Sequence, residues 1–430
     1  MKTENCDVLV VGGGPAGVCA AVSAARTGAK TVLLERTGVL GGMMTTGLVQ
    51  PLLGSCASYT MYQEVCGLLM QGHDPTQCRT TRNGTEIPID PEEAKLRLLK
   101  LALDSGVQVH LQTAVAEVLM QEDTVVGVLA ADGMGLNEYR AAVAVDASGD
   151  GFVAWRAGVP YEVGRAEDGM CQPATIEFTL AGVSEYEAIT CFGGSDPVQL
   201  SDGTPYVQLC KEASERGELP ENVQIVRVHP TWRIGERQVN ATQKNGGNLF
   251  DAAELAKADL ELRMQISKIV FFLRKHVPGY AHCYVKASAN MVGVRESRRF
   301  EGLYRLTDAD VEEGRHFDDA VVHNAWFLID IHNPAGGGQA EGHSRMARPY
   351  DIPIRCLIPQ KVNGLLLSGR NISGTHRAHA SYRVMGIAMA VGQAAGTAAA
   401  LCVREKICPA ALDVRLVQRE LEAAGAVLKE

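Results

Sequence analysis

Asp7–Val11 runs into an unbroken apolar stretch and then directly into Gly12-Gly13-Gly14-Pro15-Ala16-Gly17. A short apolar run of this kind reads as a strand buried on both faces of a parallel sheet. The Ala-rich stretch behind the glycines predicts a helix to about Thr27, stopped at Gly28. A second apolar run, Thr31–Leu34, ends in Glu35. Together these make one βαβ unit with a G-x-G-x-x-G turn. In such a turn Gly12 allows the tight bend, Gly14 admits close approach to a pyrophosphate, and Gly17 lets the helix pack on the strand. The pyrophosphate meets the free N–H groups and the positive end of the helix dipole. Glu35 stands where a ribose-binding carboxylate belongs. A glycine-rich turn without a ligand explains this poorly, because three glycines at that spacing weaken the helix and strand they join.

Two later features narrow the ligand. Gly41-Gly42-Met43-Met44 follows the second strand closely. A nicotinamide-binding unit has no need of a second glycine pair there, whereas FAD, being longer, runs past the end of that strand. Near the C-terminus an apolar strand at Gly364–Ser368 precedes Gly369-Arg370. A helix of small residues then runs from about Val384 to Val403, and its glycines and alanines suit close packing against a sheet or cofactor. Its N-terminus, at Met385-Gly386-Ile387, could stabilise negative charge on a reduced flavin.

Between these ends the pattern predicts a helix from Asp90 to Ser105, with Asp90 as cap, Pro91 in the first turn and Glu93 completing a capping box. Strands follow at Gln108–Gln112, Ala116–Gln121, Val125–Ala130 and Ala141–Val145. In the middle, candidate strands at Thr175–Leu180, Gln224–His229 and Trp326–Ile331 alternate with polar loops, and one amphipathic helix spans about Asp251–Val277. The expected fold is α/β: a Rossmann-like domain from residues 1–160 and 346–430, interrupted by a mixed α+β substrate domain at 161–345.

Composition excludes several alternatives. A net charge of −9 argues against nucleic acid as the main partner. None of the 12 cysteines forms a C-x-x-C pair, so no metal or iron–sulfur site is expected. The N-terminus has no signal-peptide pattern and no apolar stretch reads as an uninterrupted membrane span, so the expected location is the cytoplasm with no membrane partner.

The motifs VVGGGPAG (10–17), LLER (33–36), GGMMTTG (41–47), DASGDG (146–151), GVRESRRFEG (293–302), IDIHNP (329–334) and the stretch at 363–396 span the whole chain. Together they resemble the FAD-dependent oxidoreductase family related to the fumarate-reductase and glutathione-reductase-type flavoproteins. That resemblance implies that Gly12, Gly14, Pro15, Ala16 and Gly17 hold the pyrophosphate. Glu35 takes the adenosine ribose, Arg36 lies near the adenine, and Val115 offers it backbone. Gly41, Gly42 and Met43 run beside the ribityl chain and flavin, and Ser148 and Gly149 close over the ADP moiety. Met385, Gly386 and Ile387 meet the flavin ring. Many relatives place Gly-Asp after the last strand; Gly369-Arg370 departs from that, so the ribitol contact must be made differently.

The substrate is a small organic molecule, and the partner that supplies or accepts its electrons is unknown; self-association is left open. Candidate catalytic groups are His332, Arg295, His379 and Arg383; the plainer readings are a loop hydrogen bond for His332 and a salt bridge with Glu296 or another acid for Arg295. Arg377 and Arg383 could hold an anionic substrate, and His376 with His379 could chelate a metal. Cys171 reads as structural. The expected activity is hydride transfer between a metabolite and FAD, against two alternatives: an electron-transfer subunit of a complex, or a flavin monooxygenase.

Overall fold

The computed structural model describes residues 1–57, 61–81, 84–340 and 347–429. Its centre is a seven-stranded sheet. The parallel strands lie in the order Gln108–His110, β2 (Thr31–Leu34), β1 (Thr3–Val11), Gly135–Asp146, with Leu365–Leu367 pairing along the upper half of the last. Thr124–Asp132 and Ala114–Gln121 continue the sheet as an antiparallel meander. The register brings Val11, Leu34, Asp146 and Leu367 to one level, with His110 beside Leu34. The loops that follow the strands therefore open on a single edge, the carboxyl edge at which open α/β sheets bind ligands.

Val8, Leu9 and Val10 are fully buried, each worth about 1.5–3 kcal/mol relative to exposure. Helix α1 (Pro15–Arg26) starts with Pro15 in its first turn and packs along the helix Met385–Glu405. That contact is backbone against backbone: a Cβ at Gly392 would sit 2.1 Å from the Ala16 carbonyl oxygen, and one at Gly396 2.0 Å from that of Ala20. By length and composition alone the Met385–Glu405 helix could cross a membrane, which corrects the expectation that no stretch reaches that length. In the fold, 94% of its most apolar window is buried inside the protein.

A second hydrophobic core is drawn from residues 174–292, together with Leu48. Its frame is a four-stranded antiparallel sheet ordered Arg227–Pro230, Glu236–Asn240, Phe178–Ala181, Tyr284–Ser288. The helix Ala252–His276 lies across it, capped by Asp251, which accepts from the Ala253 and Glu254 N–H groups at 3.0 Å. Phe300, Val321, Phe327 and Tyr350 pack instead into the first core. The boundary expected at 345/346 lies outside the described residues.

Two local expectations are corrected. Trp326–Ile331 is not a strand. The strand is Ala320–Ala325, and the chain beyond it makes isolated bridges at Trp326, Ile329 and His332, Trp326 with Ser55 and His332 with Gln339. Its backbone is drawn off elsewhere, the Asp330 carbonyl accepting from Arg383 at 3.0 Å. The capping box at Asp90 is half made. Asp90 accepts from the Glu92 and Glu93 N–H groups, but the Glu93 carboxylate turns to Arg97 at 2.6 Å and His73 at 2.9 Å.

The backbone contact at Gly392 gives a direct test. Gly392→Ala is expected to lower stability by about 1–3 kcal/mol through overpacking. Gly67→Ala, in the helix Met61–Met70 with nothing within 4 Å of the added carbon, is expected to raise it by about 0.5–1 kcal/mol. Urea midpoints of the two variants check both signs.

Candidate functional site

The glycine loop closes on itself and on its neighbours. Gly12 has φ +100°, and a Cβ there would lie 2.5 Å from the Ala147 carbonyl oxygen. A Cβ at Gly17 would lie 1.8 Å from the Gly12 carbonyl, whereas at Gly14 it would meet nothing within 4 Å. Gly14 thus faces open space in front of the first turn of α1, whose N–H groups have no intrahelical acceptor. The Glu35 carboxylate, 6% exposed, accepts from the Gly13 N–H at 2.6 Å and the Thr37 N–H at 2.7 Å. It is fixed at the base of that space with lone pairs to spare for ribose hydroxyls. Gly41 donates to the Gly13 carbonyl at 2.8 Å, so the second glycine pair is docked on the first, and Gly42 lies against Gly14.

The remaining cofactor candidates are distributed around this edge. Pro15 and Ala16 form the first turn of α1. Arg36 is exposed at the rim. Val115 is half-buried opposite Ala130; the backbone nearest Glu35 is that of Thr113, whose N–H donates to the Glu35 carbonyl at 2.8 Å. The Ser148 hydroxyl is used internally, between Asp146 at 2.6 Å and the Phe152 N–H at 2.9 Å. Arg370 replaces the usual acid with a brace. It donates to the Gly149 carbonyl and to Asp150, both at 2.6 Å, and to Ser297 at 3.0 Å. Met43 packs between Gly47 and Gly293. The Gly386 N–H is taken by the Leu53 carbonyl at 3.0 Å, and Met385 and Ile387 beside it are buried.

A cavity of ≈ 1330 Å³ lies between the two cores. Val49, Pro51 and Leu53 form one wall, and the Val49 N–H is held by the Met43 carbonyl at 2.9 Å, so the cavity adjoins the Gly41–Met44 segment. Glu177, Arg227, His229, Asp330 and His332 form other parts of the wall. His332 Nε2 lies 3.2 Å from Asp330, and Arg383 donates to the same carboxylate at 3.1 Å. Burial and the Arg295 cation hold His332 down to about 3, while His332 and Arg383 keep Asp330 ionised, well below the usual carboxylate range, against the opposing effect of burial. His332 is therefore a neutral imidazole that donates from Nε2 to an anion and keeps the Nδ1 lone pair. Burial lifts Glu177 to about 8, against the pull of Arg295 and Arg227, so it is mostly protonated at neutral pH.

Arg295, His379 and Arg377 are placed differently from expectation. Arg295 does not pair with Glu296; it donates to the Pro173 carbonyl at 2.7 Å and to Asn240 at 3.2 Å, one layer behind the cavity. Glu296 is instead a buried hub for Arg299, His376 at 2.8 Å and the Gln172 N–H at 3.0 Å. That pairing separates His376 from the suggested metal role. His379 is 1% exposed, lies off the cavity and has no partner at Nδ1. Arg377 pairs with Glu312 at 2.5 Å and Asp308 at 3.4 Å, not with the cavity. Burial pushes the Cys171 thiol up to about 11, which leaves it protonated. A separate cluster, His316, His323 and Asp351, groups potential ligand atoms within 4.8 Å, but Asp351 already bonds His323 Nδ1 at 2.7 Å and accepts from the Phe317 and Asn324 N–H groups, with His316 Nδ1 3.2 Å away.

A parallel sheet with a glycine-turn nucleotide edge, a second docked glycine pair and an adjoining buried cavity defines a flavoprotein of the dinucleotide-binding class. A model of the FAD-dependent oxidoreductases matches residues 7–421, and the chain belongs to that family. Its cofactor is FAD. The chain is 31% identical over 156 residues to the tRNA uridine 5-carboxymethylaminomethyl modification enzyme MnmG of Wolinella succinogenes, a match covering 34% of this chain and 24% of that protein. It is 30% identical over 134 residues to the thiamine thiazole synthase of Methanococcus maripaludis, covering 30% and 47% respectively. The chain thus matches less than half the length of either relative. Among solved structures, a geranylgeranyl bacteriochlorophyll reductase-like protein from Thermoplasma acidophilum matches 98% of this chain and 83% of its own, with TM-score 0.50 and 14% identity. This is a likeness of fold.

Glu35→Gln removes the charge from two hydrogen bonds at the base of the nucleotide edge. It is expected to weaken FAD binding by about 1.5–3 kcal/mol, a tenfold or greater rise in Kd. Fluorescence of FAD released on dilution measures it.

Proposed function

We propose that the protein transfers a hydride between a carbon of a small organic substrate and bound FAD, with His332 handling the accompanying proton. The observation that carries this reading is the Asp330–His332 pair, anchored by Arg383, in the wall of a cavity that adjoins the Gly41–Met44 segment. FAD supplies the two-electron acceptor or donor. In the oxidising direction the substrate C–H leaves as hydride, and its O–H or N–H proton passes to Nδ1 of His332. Asp330 holds the ring through Nε2 and stabilises the imidazolium that forms. The reverse direction returns the same proton. Glu177, protonated in the same wall, donates a hydrogen bond that positions the substrate. The insert's sheet is antiparallel and is not a second dinucleotide-binding unit.

Anaerobic mixing of the oxidised protein with a panel of alcohols, amines and hydroxy acids tests this directly: at least one should bleach the flavin. His332→Asn should slow that bleaching by about 10²–10⁴-fold while FAD content stays at the wild-type level. A wild-type rate in that variant would remove His332 from the chemistry.

Glu177 sets the pH dependence. With its folded value near 8, it is neutral below that pH and ionised above it, so bleaching should slow as pH rises through about 8. Glu177→Gln, neutral at every pH, should keep the rate at pH 7 and lose the alkaline decline. A decline persisting unchanged would assign that limb to another group.

A further inference from the structure

The charged groups of the cavity wall are not equally compensated. Asp330 is held by Arg383 and His332, and Glu177 is protonated. The wall formed by Arg79, Lys211, Arg227 and His229 is different. The Arg227 guanidinium has no hydrogen bond or ion pair to a side chain among the described residues, although Asp330 and Glu177 lie close enough to feel its charge. His229 is 6% exposed, and neither ring nitrogen has a partner. A buried imidazole left without hydrogen bonds costs free energy that a ligand would recover.

The nearby carboxylates do not fill this role. Asp196 turns to the Phe192 N–H at 2.7 Å. Glu86 stands 3.9 Å from Arg79, and burial pushes it toward its neutral form. Arg79 lies 3.4 Å above the Phe192 ring, which meets His229 edge-on at 5.1 Å. The aromatic ring therefore fixes both groups without neutralising the cation. Arg295 and Arg227 stand close enough to depress one of their own number: burial, Arg383 and Arg227 bring Arg295 down to about 10.

We infer that this wall is an oxyanion subsite, in which Arg227, flanked by His229 and Arg79, holds a carboxylate or phosphate group of the substrate. Resting on the proposed reaction, this places the reacting carbon beside His332 and the anionic group on Arg227 within one cavity. A planar guanidinium offers paired donors that match either oxyanion, and a neutral His229 adds one N–H. Neutral substrates of the same size would leave Arg227 and His229 unpaired and bind less well.

Calorimetric titration of the FAD-loaded protein with malonate and, separately, inorganic phosphate tests the subsite without turnover. At least one anion should bind saturably, and which one binds distinguishes a carboxylate from a phosphate group. Arg227→Met should raise its Kd tenfold or more at unchanged FAD content and melting temperature, with Arg227→Lys between the two. Binding of neither anion, or equal affinity in Arg227→Met, would overturn the inference. His332→Asn should leave anion binding intact. Lost bleaching with retained anion binding would thus fault only the reaction, and fast bleaching by neutral substrates without anion binding would fault only the subsite.

Discussion

The close contact between α1 and the Met385–Glu405 helix joins the two ends of the chain. The Ala16 and Ala20 carbonyls occupy the space that side chains at positions 392 and 396 would need. Two glycines a turn apart permit an approach that any larger residue would forbid. The approach sets the C-terminal helix over the nucleotide edge, so that Met385 and Ile387 are buried at its start while Gly386 is tethered to Leu53. Leu53 in turn lines the cavity. A packing contact between two helices therefore fixes the relation between cofactor edge and substrate space, although the residues of that edge and space lie hundreds of positions apart.

The second constraint is electrostatic. The cavity gathers Arg227, Asp330, His332 and Glu177, with Arg295 and Arg383 behind them. Burial penalises every charge, and the network settles by ionising the group with the best partners and neutralising the rest. Asp330 keeps its charge because Arg383 and His332 both face it. Glu177 faces Gln238 and stays mostly protonated. His332 gives up its charge to burial and Arg295.

What could be read in the sequence was what local chemistry determines. The βαβ unit, Glu35 and the glycine pair at 41–42 stand within a few dozen residues of each other, and their backbone demands leave a residue pattern. The small residues of the 385–405 helix likewise announced close packing, though not that α1 would be the partner. The meander strands and the Asp90 cap were legible from the apolar pattern and capping chemistry. Partner choice among charged groups was not. Arg295 beside Glu296 in sequence suggested a salt bridge, yet the fold sends Glu296 to Arg299 and His376 and Arg295 to Pro173 and Asn240. Glu177 left one signal, a carboxylate within the apolar run Thr175–Leu180. Arg227 and His229 left none beyond a strand pattern, because their role depends on what the tertiary fold leaves unpaired around them. The helix Val414–Ala423, with Val417 and Leu421 buried at helical spacing, was legible in principle and lies outside the stretches that carry motifs.

The central claim is direct hydride transfer between the substrate carbon and FAD in the cavity beside His332. Stopped-flow reduction of the flavin by a substrate carrying deuterium at the reacting carbon tests it most directly. The account predicts slower bleaching with the deuterated substrate, with the label lost from that carbon in the product. Equal bleaching rates for the two isotopologues, with the label retained in the product, would contradict it.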